Sequence, residues 1–403
     1  MTQPPLDPGL LQLEPGLLWV QHCSDGPIPR ASASAVQAYL ERELKPWTVD
    51  FQRDDLELPA AVRREAARAI GASLEDISLT PNTSSGLVTL AQALDWGAGD
   101  EVLAPLGEFP SNAWPWKALE ARGVCFREVP LWEGHRAGVG SWDSSAPQVT
   151  DDPEGRILAA LGPRTRVLAL SWVRFQDGLK LDLRRLGEAC RAKGVAFVVD
   201  GIQGAGCAVP DLSWVDAFAT GGHKGLLAPQ GLGFLWTAPS FRPRLAPTGS
   251  WLSVEQGSDF SRSSTDFDRA WLADGRRLEP GTPDILSCAA LVESLRTLNA
   301  VGVDSIQAHI RELQVHLLDR LARGAWGAEA ARLKALLGAD RLGPILAFHH
   351  EGRGVQGMLR MLSEATALGI HPSVREGYFR IAFHGWHTSE DADRIADCLE
   401  ALS

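Results

Sequence analysis

The 403-residue chain has no run of basic residues, no C-x-x-C pair and no uncharged apolar stretch of the ~20 residues that a membrane span needs. Each absence excludes a class. Nucleic-acid binding calls for a Lys/Arg-rich face that displaces counterions; here 39 basic residues stand against 50 acidic ones, a net charge of −11. The six cysteines, Cys23, Cys125, Cys190, Cys207, Cys288 and Cys398, are scattered, which argues against a disulfide framework and against a zinc knuckle. The opening "MTQPPLDPGLLQLEPG" has no basic segment leading into an apolar one, so it does not read as a signal peptide, and the expected location is the cytoplasm. No internal repeat is visible. The partners expected are small molecules, with neither nucleic acid nor membrane among them.

What is present is a rhythm of apolar strands and amphipathic helices. "RVLALSWV" (Arg166 to Val173) reads as a strand, and "LDLRRLGEACRAKG" as a helix with Gly194 as its C-cap. "VAFVVDG", "DAFATGG" and "GLGFLW" follow as further strands. "DEVLAP" and a helix over "NAWPWKALEARG" come earlier in the same alternation. Continuous apolar strands joined through helices predict a mostly parallel α/β sheet covered on both faces. "PDILSCAALVESLRTLNAVG" predicts a long helix, and Thr388 with Asp391 a capping box before a final one. The chain divides into a large α/β domain over 25–280 and a smaller α+β domain over 281–403, against which residues 1–24 are expected to pack.

Four signals converge in the larger part. Asp200 ends the strand "VAFVVD", and ligands of open α/β sheets sit beyond the carboxyl ends of strands. Lys224 stands among glycines in "TGGHKGLLAPQGLGFLW", where a long cationic side chain needs a partner. "PNTSSG" places hydroxyls and free N–H groups at a helix start, which suits an anion, phosphate above all. Phe109 in "GEFPSN" offers a flat face just past the strand "EVLAP". A phosphate cradle, a carboxylate, an aromatic face and a lysine together suit pyridoxal 5'-phosphate, whose aldehyde bonds to a lysine amine and whose ring nitrogen pairs with an acid. "FHHEGRG" (Phe348 to Gly354) is a weaker pattern. His349 and His350 are adjacent, point to opposite faces of a strand and do not share a metal with Glu351, so no metal is expected.

These stretches, with "WVQHCSDGPIP", "VVDGIQGAG", "LEPGTPDI" and "FRIAFHGWHTSEDADRI", run in the order and spacing of a known group. The chain resembles the class V aminotransferase-like, fold-type I pyridoxal-phosphate enzymes, which include isopenicillin-N epimerase-like proteins and cysteine desulfurases. The resemblance implies a large domain with a mostly parallel seven-stranded sheet, a small α+β domain and a homodimer with a shared active site. It implies Lys224 as the Schiff-base lysine and proton shuttle, Asp200 as partner of the ring nitrogen and Gln203 as partner of the phenolic oxygen. Thr83, Ser84 and His223 would hold the phosphate, Phe109 would stack on the ring, and Thr282 would reach the phosphate of the partner subunit. Arg380 matches the arginine that clamps a substrate carboxylate, a task suited to its bidentate fork, and Arg375 is the rival anchor. Three departures stand out. Gly221 replaces a frequent serine, Phe175 replaces an asparagine common in desulfurases, and "HPSVREGYFRIAF" lacks the cysteine that desulfurases carry on an inserted loop.

The function expected is that of an aminotransferase acting on an amino acid or related primary amine. A pyridoxal-phosphate epimerase or C–S/β-lyase is the alternative within the enzymes, and a PLP-fold binding protein without catalysis is the alternative outside them. Intact Lys224, Asp200 and Gln203 argue against the last, and the missing loop cysteine argues against a desulfurase.

Overall fold

A computed structural model describes residues 3–138, 145–350 and 352–402, so Glu351 of the histidine pattern lies outside the described residues. Among the described residues twelve strands organise the fold: β1 (Leu18–Trp19), β2 (Ile77–Thr80), β3 (Glu101–Pro105), β4 (Cys125–Val129), β5 (Thr165–Ser171), β6 (Ala196–Asp200), β7 (Ala217–Gly221), β8 (Gly233–Thr237), β9 (Ile345–Phe348), β10 (Ile370–His371), β11 (Ser373–Arg375) and β12 (Tyr378–Ala382).

Seven of them form the central sheet in the order β2-β8-β7-β6-β5-β3-β4. Every pairing is parallel except the two made by β8, which runs against β2 and β7. β2, β3, β6, β7 and β8 are buried at every position, as continuous apolar runs require when helices cover both faces of a sheet. β4 is the edge and is mostly open to solvent. The register of the inner strands matters for the site: Ser171 at the end of β5 lies opposite Asp200 at the end of β6.

Local chemistry sets the helix ends. Asn82 Oδ1 accepts from Ser85 N at 2.8 Å and opens helix Thr83–Ala93. Asp182 does the same for helix Leu183–Lys193, which closes on Gly194 at φ 70°. The capping box of Thr388 and Asp391 is present at helix Ser389–Ala401. The helix expected over "NAWPWKALEARG" is instead broken into a 3-10 turn (Pro110–Asn112), a single α turn (Trp114–Lys117) and a second 3-10 stretch (Ala118–Arg122). Pro110 and Pro115 have no N–H and are accommodated only where a helical turn begins, so each starts its own short segment.

The C-terminal part carries an antiparallel sheet in the order β11-β12-β9, flanked by helices Val303–Leu321, Gly327–Gly338 and Gly354–Ala367. β1 pairs in parallel with β10, Leu6 N donates to Gly385 O at 3.0 Å, and Ala382 N donates to Val20 O at 2.8 Å. The N-terminal strand is thereby stitched to the last strands of the chain. Among the described residues no single helix is long and apolar enough to cross a membrane.

Candidate active site

A cavity of about 280 Å³ opens at the carboxyl ends of the central strands. Five of the seven strands deliver side chains at or just past their ends: Thr83 and Ser84 after β2, Phe109 after β3, Phe175 after β5, Asp200 at the tip of β6, His223 and Lys224 after β7. Gln203, Arg375 and Arg380 complete the wall. Nine of the residues singled out in the sequence therefore face one space. Thr282 does not; it is exposed, between Gly281 and helix Ile285–Val301, and lies outside the cavity.

Asp200 is 2 % exposed and accepts from Ile202 N at 3.0 Å. Burial pushes its carboxyl up to about 7, with Lys224 opposing and the buried Glu108 adding to the push. Burial likewise holds the Lys224 ammonium below the usual lysine value, and Asp200 opposes the shift. A group so placed is closer to a working base than a solvated lysine. Lys224 Nζ lies 5.6 Å from the Phe109 ring centroid, and Phe109 meets Phe175 edge to face at 5.1 Å. His223 is pushed down by burial and by its neighbour Lys224.

At the start of helix Thr83–Ala93 the Thr83 hydroxyl is buried with no hydrogen-bond partner, while Ser84 Oγ donates to Ser111 Oγ at 2.7 Å. Gln203 donates from Nε2 to Cys23 O at 3.1 Å, and its Oε1 is buried and unpartnered. Orphaned polar atoms of this kind are uncommon in native interiors. Two in one cavity, beside a lysine amine and a carboxylate, fit pyridoxal 5'-phosphate: hydroxyl and helix N–H groups for its phosphate, the amide for its ring oxygen, the amine for its aldehyde.

Arg380, on β12, is 1 % exposed. Its Nε donates to Ser373 Oγ at 3.1 Å, one terminal nitrogen to Phe175 O at 2.5 Å and the other to Ser24 Oγ at 3.4 Å. No carboxylate pairs with it among the described residues. Burial, reinforced by Arg375, depresses its pKa. Arg375 donates to Val374 O at 3.1 Å, a bond to its own strand.

Reading the sequence missed Cys23, Ser24 and Asp25, which line the same cavity from the N-terminal segment. One signal was available: the glycine of "CSDGPIP". Gly26 N donates to His223 O at 2.8 Å, and a Cβ at Gly26 would run into the Lys224 carbonyl oxygen. Only glycine permits so close an approach.

The model of the aminotransferase class-V family matches residues 48–371. An isopenicillin N epimerase of Streptomyces clavuligerus is 32 % identical over 98 % of this chain and 97 % of its own length. A probable cysteine desulfurase of Methanothermobacter thermautotrophicus is 27 % identical over 85 % of this chain and 82 % of its own. A solved structure of the cystine C–S lyase C-DES with cysteine persulfide superposes with a TM-score of 0.80, at 21 % identity, over 98 % of both chains.

Proposed function

Since the chain belongs to the aminotransferase class-V family and its cofactor is pyridoxal 5'-phosphate, we propose that it acts on a carboxylate-bearing primary amine through Lys224, by transamination. The observation that carries this reading is the shared cavity of Lys224, Asp200 and an Arg380 that has no acid of its own.

The cofactor, when bound, supplies an aldehyde that condenses with primary amines and a ring that takes up electrons from the substrate's Cα. This chain's residues do the rest. Thr83, Ser84 and His223 would hold the phosphate, and Phe109 would offer its face to the ring. Asp200 would favour a proton on the ring nitrogen, and Gln203 would partner the ring oxygen. Arg380 takes the substrate carboxylate in its fork, with Arg375 at the rim, and so orients Cα toward Lys224. Lys224 Nζ, whose pKa burial lowers, would take the proton from Cα and carry it away from that carbon, the proton movement that amino transfer needs.

Epimerisation is the second reading. It is favoured by the 32 % identity to an isopenicillin N epimerase and by Cys23, a second proton-carrying group in the same cavity. Both readings take a homodimer as the active unit. The exposed aromatics Trp47 (80 %) and Phe267 (88 %), and Thr282 outside the cavity, support it, with Thr282 reaching the partner subunit's phosphate.

The test is the absorption spectrum of the purified protein with the cofactor, before and after a pool of amino acids is added. Transamination converts the visible band into the near-ultraviolet band of pyridoxamine phosphate. A visible band that returns after turnover, with deuterium from solvent at Cα and inverted configuration, means epimerisation. A Lys224→Ala protein whose spectrum matches the wild type refutes both.

A further inference from the structure

Beside the first cavity lies a second of about 180 Å³, and Phe175 lines both. Trp132, His135, Arg174, Gln176 and Tyr378 form much of its wall. Most polar groups there are already committed. Arg174 donates from Nε to Asp177 Oδ2 at 2.9 Å and from Nη1 to Leu106 O at 3.2 Å, and its Nη2 meets His135 Nε2 at 3.3 Å. Glu108 takes the Ser171 hydroxyl at 2.5 Å and Asn112 Nδ2 at 3.1 Å.

Two are not committed. The Tyr378 hydroxyl and Gln176 Oε1 are buried and have no hydrogen-bond partner among the described residues. Gln176 Nε2 donates to Gly107 O, which fixes the amide's orientation and leaves Oε1 as a lone acceptor. Buried polar atoms without partners are rare and call for one. A hydroxyl and a lone acceptor from residues that line one cavity are together the complement of a group that both donates and accepts.

Both residues stand one step from Arg380. Tyr378 and Arg380 are two apart on β12, so their side chains leave the same face with Cα atoms about 7 Å apart. Gln176 follows Phe175, whose carbonyl holds the Arg380 guanidinium. A substrate carboxylate on Arg380 thus leaves the second cavity one side-chain length away. The lining also discriminates by charge. Its charges are mixed, Arg136 and Arg174 with Glu108, Asp177 and Glu376, and Arg174 is paired with Asp177; a terminal carboxylate would still face the lone pairs of Gln176 Oε1, and a terminal ammonium the two guanidinium groups. A carboxamide meets neither obstacle; its N–H donates to Gln176 Oε1 and its oxygen accepts from Tyr378.

We propose that this cavity is a side-chain subsite for a terminal carboxamide, so that the preferred substrate is a glutamine-like α-amino acid. The proposal rests on the reading that Arg380 anchors the α-carboxylate and Lys224 bonds the cofactor.

The test uses protein loaded with pyridoxal 5'-phosphate, titrated with L-glutamine, L-glutamate and L-norleucine while the visible band is followed. Glutamine is expected to bind at least about tenfold more tightly than either analogue, the worth of a satisfied pair of buried hydrogen bonds. Tyr378→Phe and, independently, Gln176→Met should each cut the glutamine-to-norleucine ratio by about tenfold. Thermal unfolding of the ligand-free proteins is a second readout: Tyr378→Phe should not lower Tm, because its hydroxyl has no bond to lose. Equal affinities, a preference for glutamate, or an unchanged ratio in Tyr378→Phe overturns the subsite while the cofactor reading stands. A protein that forms no visible band, or one that answers to none of the three amino acids, overturns the Lys224 and Arg380 roles and the subsite with them.

Discussion

Replacing Arg380 with glutamine separates ligand recognition from structural support. Arg380 is 1 % exposed, and its guanidinium donates to neutral acceptors: the Ser373 hydroxyl, the Phe175 carbonyl and the Ser24 hydroxyl. A buried cation without a counter-ion is held at a cost of several kcal/mol, and removing it relieves that cost while forfeiting charge-assisted hydrogen bonds worth about 1.5–3 kcal/mol each. The two effects nearly offset, so ligand-free Arg380→Gln should unfold within a few degrees of the wild type. Carboxylate binding should behave differently. Two charge-assisted hydrogen bonds are worth about 1.5–3 kcal/mol each. Their loss, trimmed by water entering the space, should weaken an amino acid by at least about 100-fold.

The contrast is Arg63, whose Nε and terminal nitrogen donate to both Glu279 oxygens at 2.8 and 2.6 Å in a buried bidentate pair. Breaking that pair strands a carboxylate and should cost about 3–5 kcal/mol. Calorimetry of the ligand-free variants gives the first comparison. Spectral titration with an amino acid and with its decarboxylated amine gives the second. If Arg380→Gln retains the wild-type ratio between these two ligands, or is destabilised as much as Arg63→Gln, the guanidinium is a structural strut and not a carboxylate anchor.

The remaining predictions concern protons and phosphate. His22, His384 and His387 are buried behind the site, and burial pushes all three down, His384 to about 3. A folded histidine held neutral stabilises fully above the unfolded value of about 6.5, and this is lost as pH falls below it. The raised carboxyl of Asp200 works in the opposite sense, so the histidine share is read as a difference: His384→Gln should flatten the ligand-free stability change between pH 7 and pH 5 by about 2 kcal/mol. Parallel profiles for the two proteins would refute a neutral His384. Thr83→Ala should leave ligand-free stability unchanged, since the hydroxyl has no partner. It should weaken pyridoxal 5'-phosphate by at least about tenfold in a direct titration, and an unchanged affinity would place the phosphate elsewhere.

Legibility in the sequence followed locality. β5 to β8 were visible because strands buried on both faces have no reason to alternate, and helix Leu183–Lys193 announced its end through Gly194. Asp200 and Lys224 were visible because a carboxylate and an amine among glycines and apolar residues are out of place. The helix expected around Trp116 failed on Pro115, whose missing N–H outweighs apolar periodicity. Ser24 reaches Arg380 across 356 positions, and no local pattern encodes such a contact. The second cavity was equally hidden, because Gln176 and Tyr378 acquire their vacant polar atoms only when distant segments fold around them.

The threading of the N-terminal segment sets an order of assembly. Cys23, Ser24 and Asp25 form one wall of the cavity, and the strand leading to them is held by β10 and by Ala382, more than 340 residues later. During synthesis the early wall meets Gln203 and His223 midway, but the strand that leads to it is paired only when almost the whole chain has emerged. Lys224 is made long before its surroundings close. The cavity wall is therefore complete only once both ends of the chain have met, which ties the finished site to the finished fold.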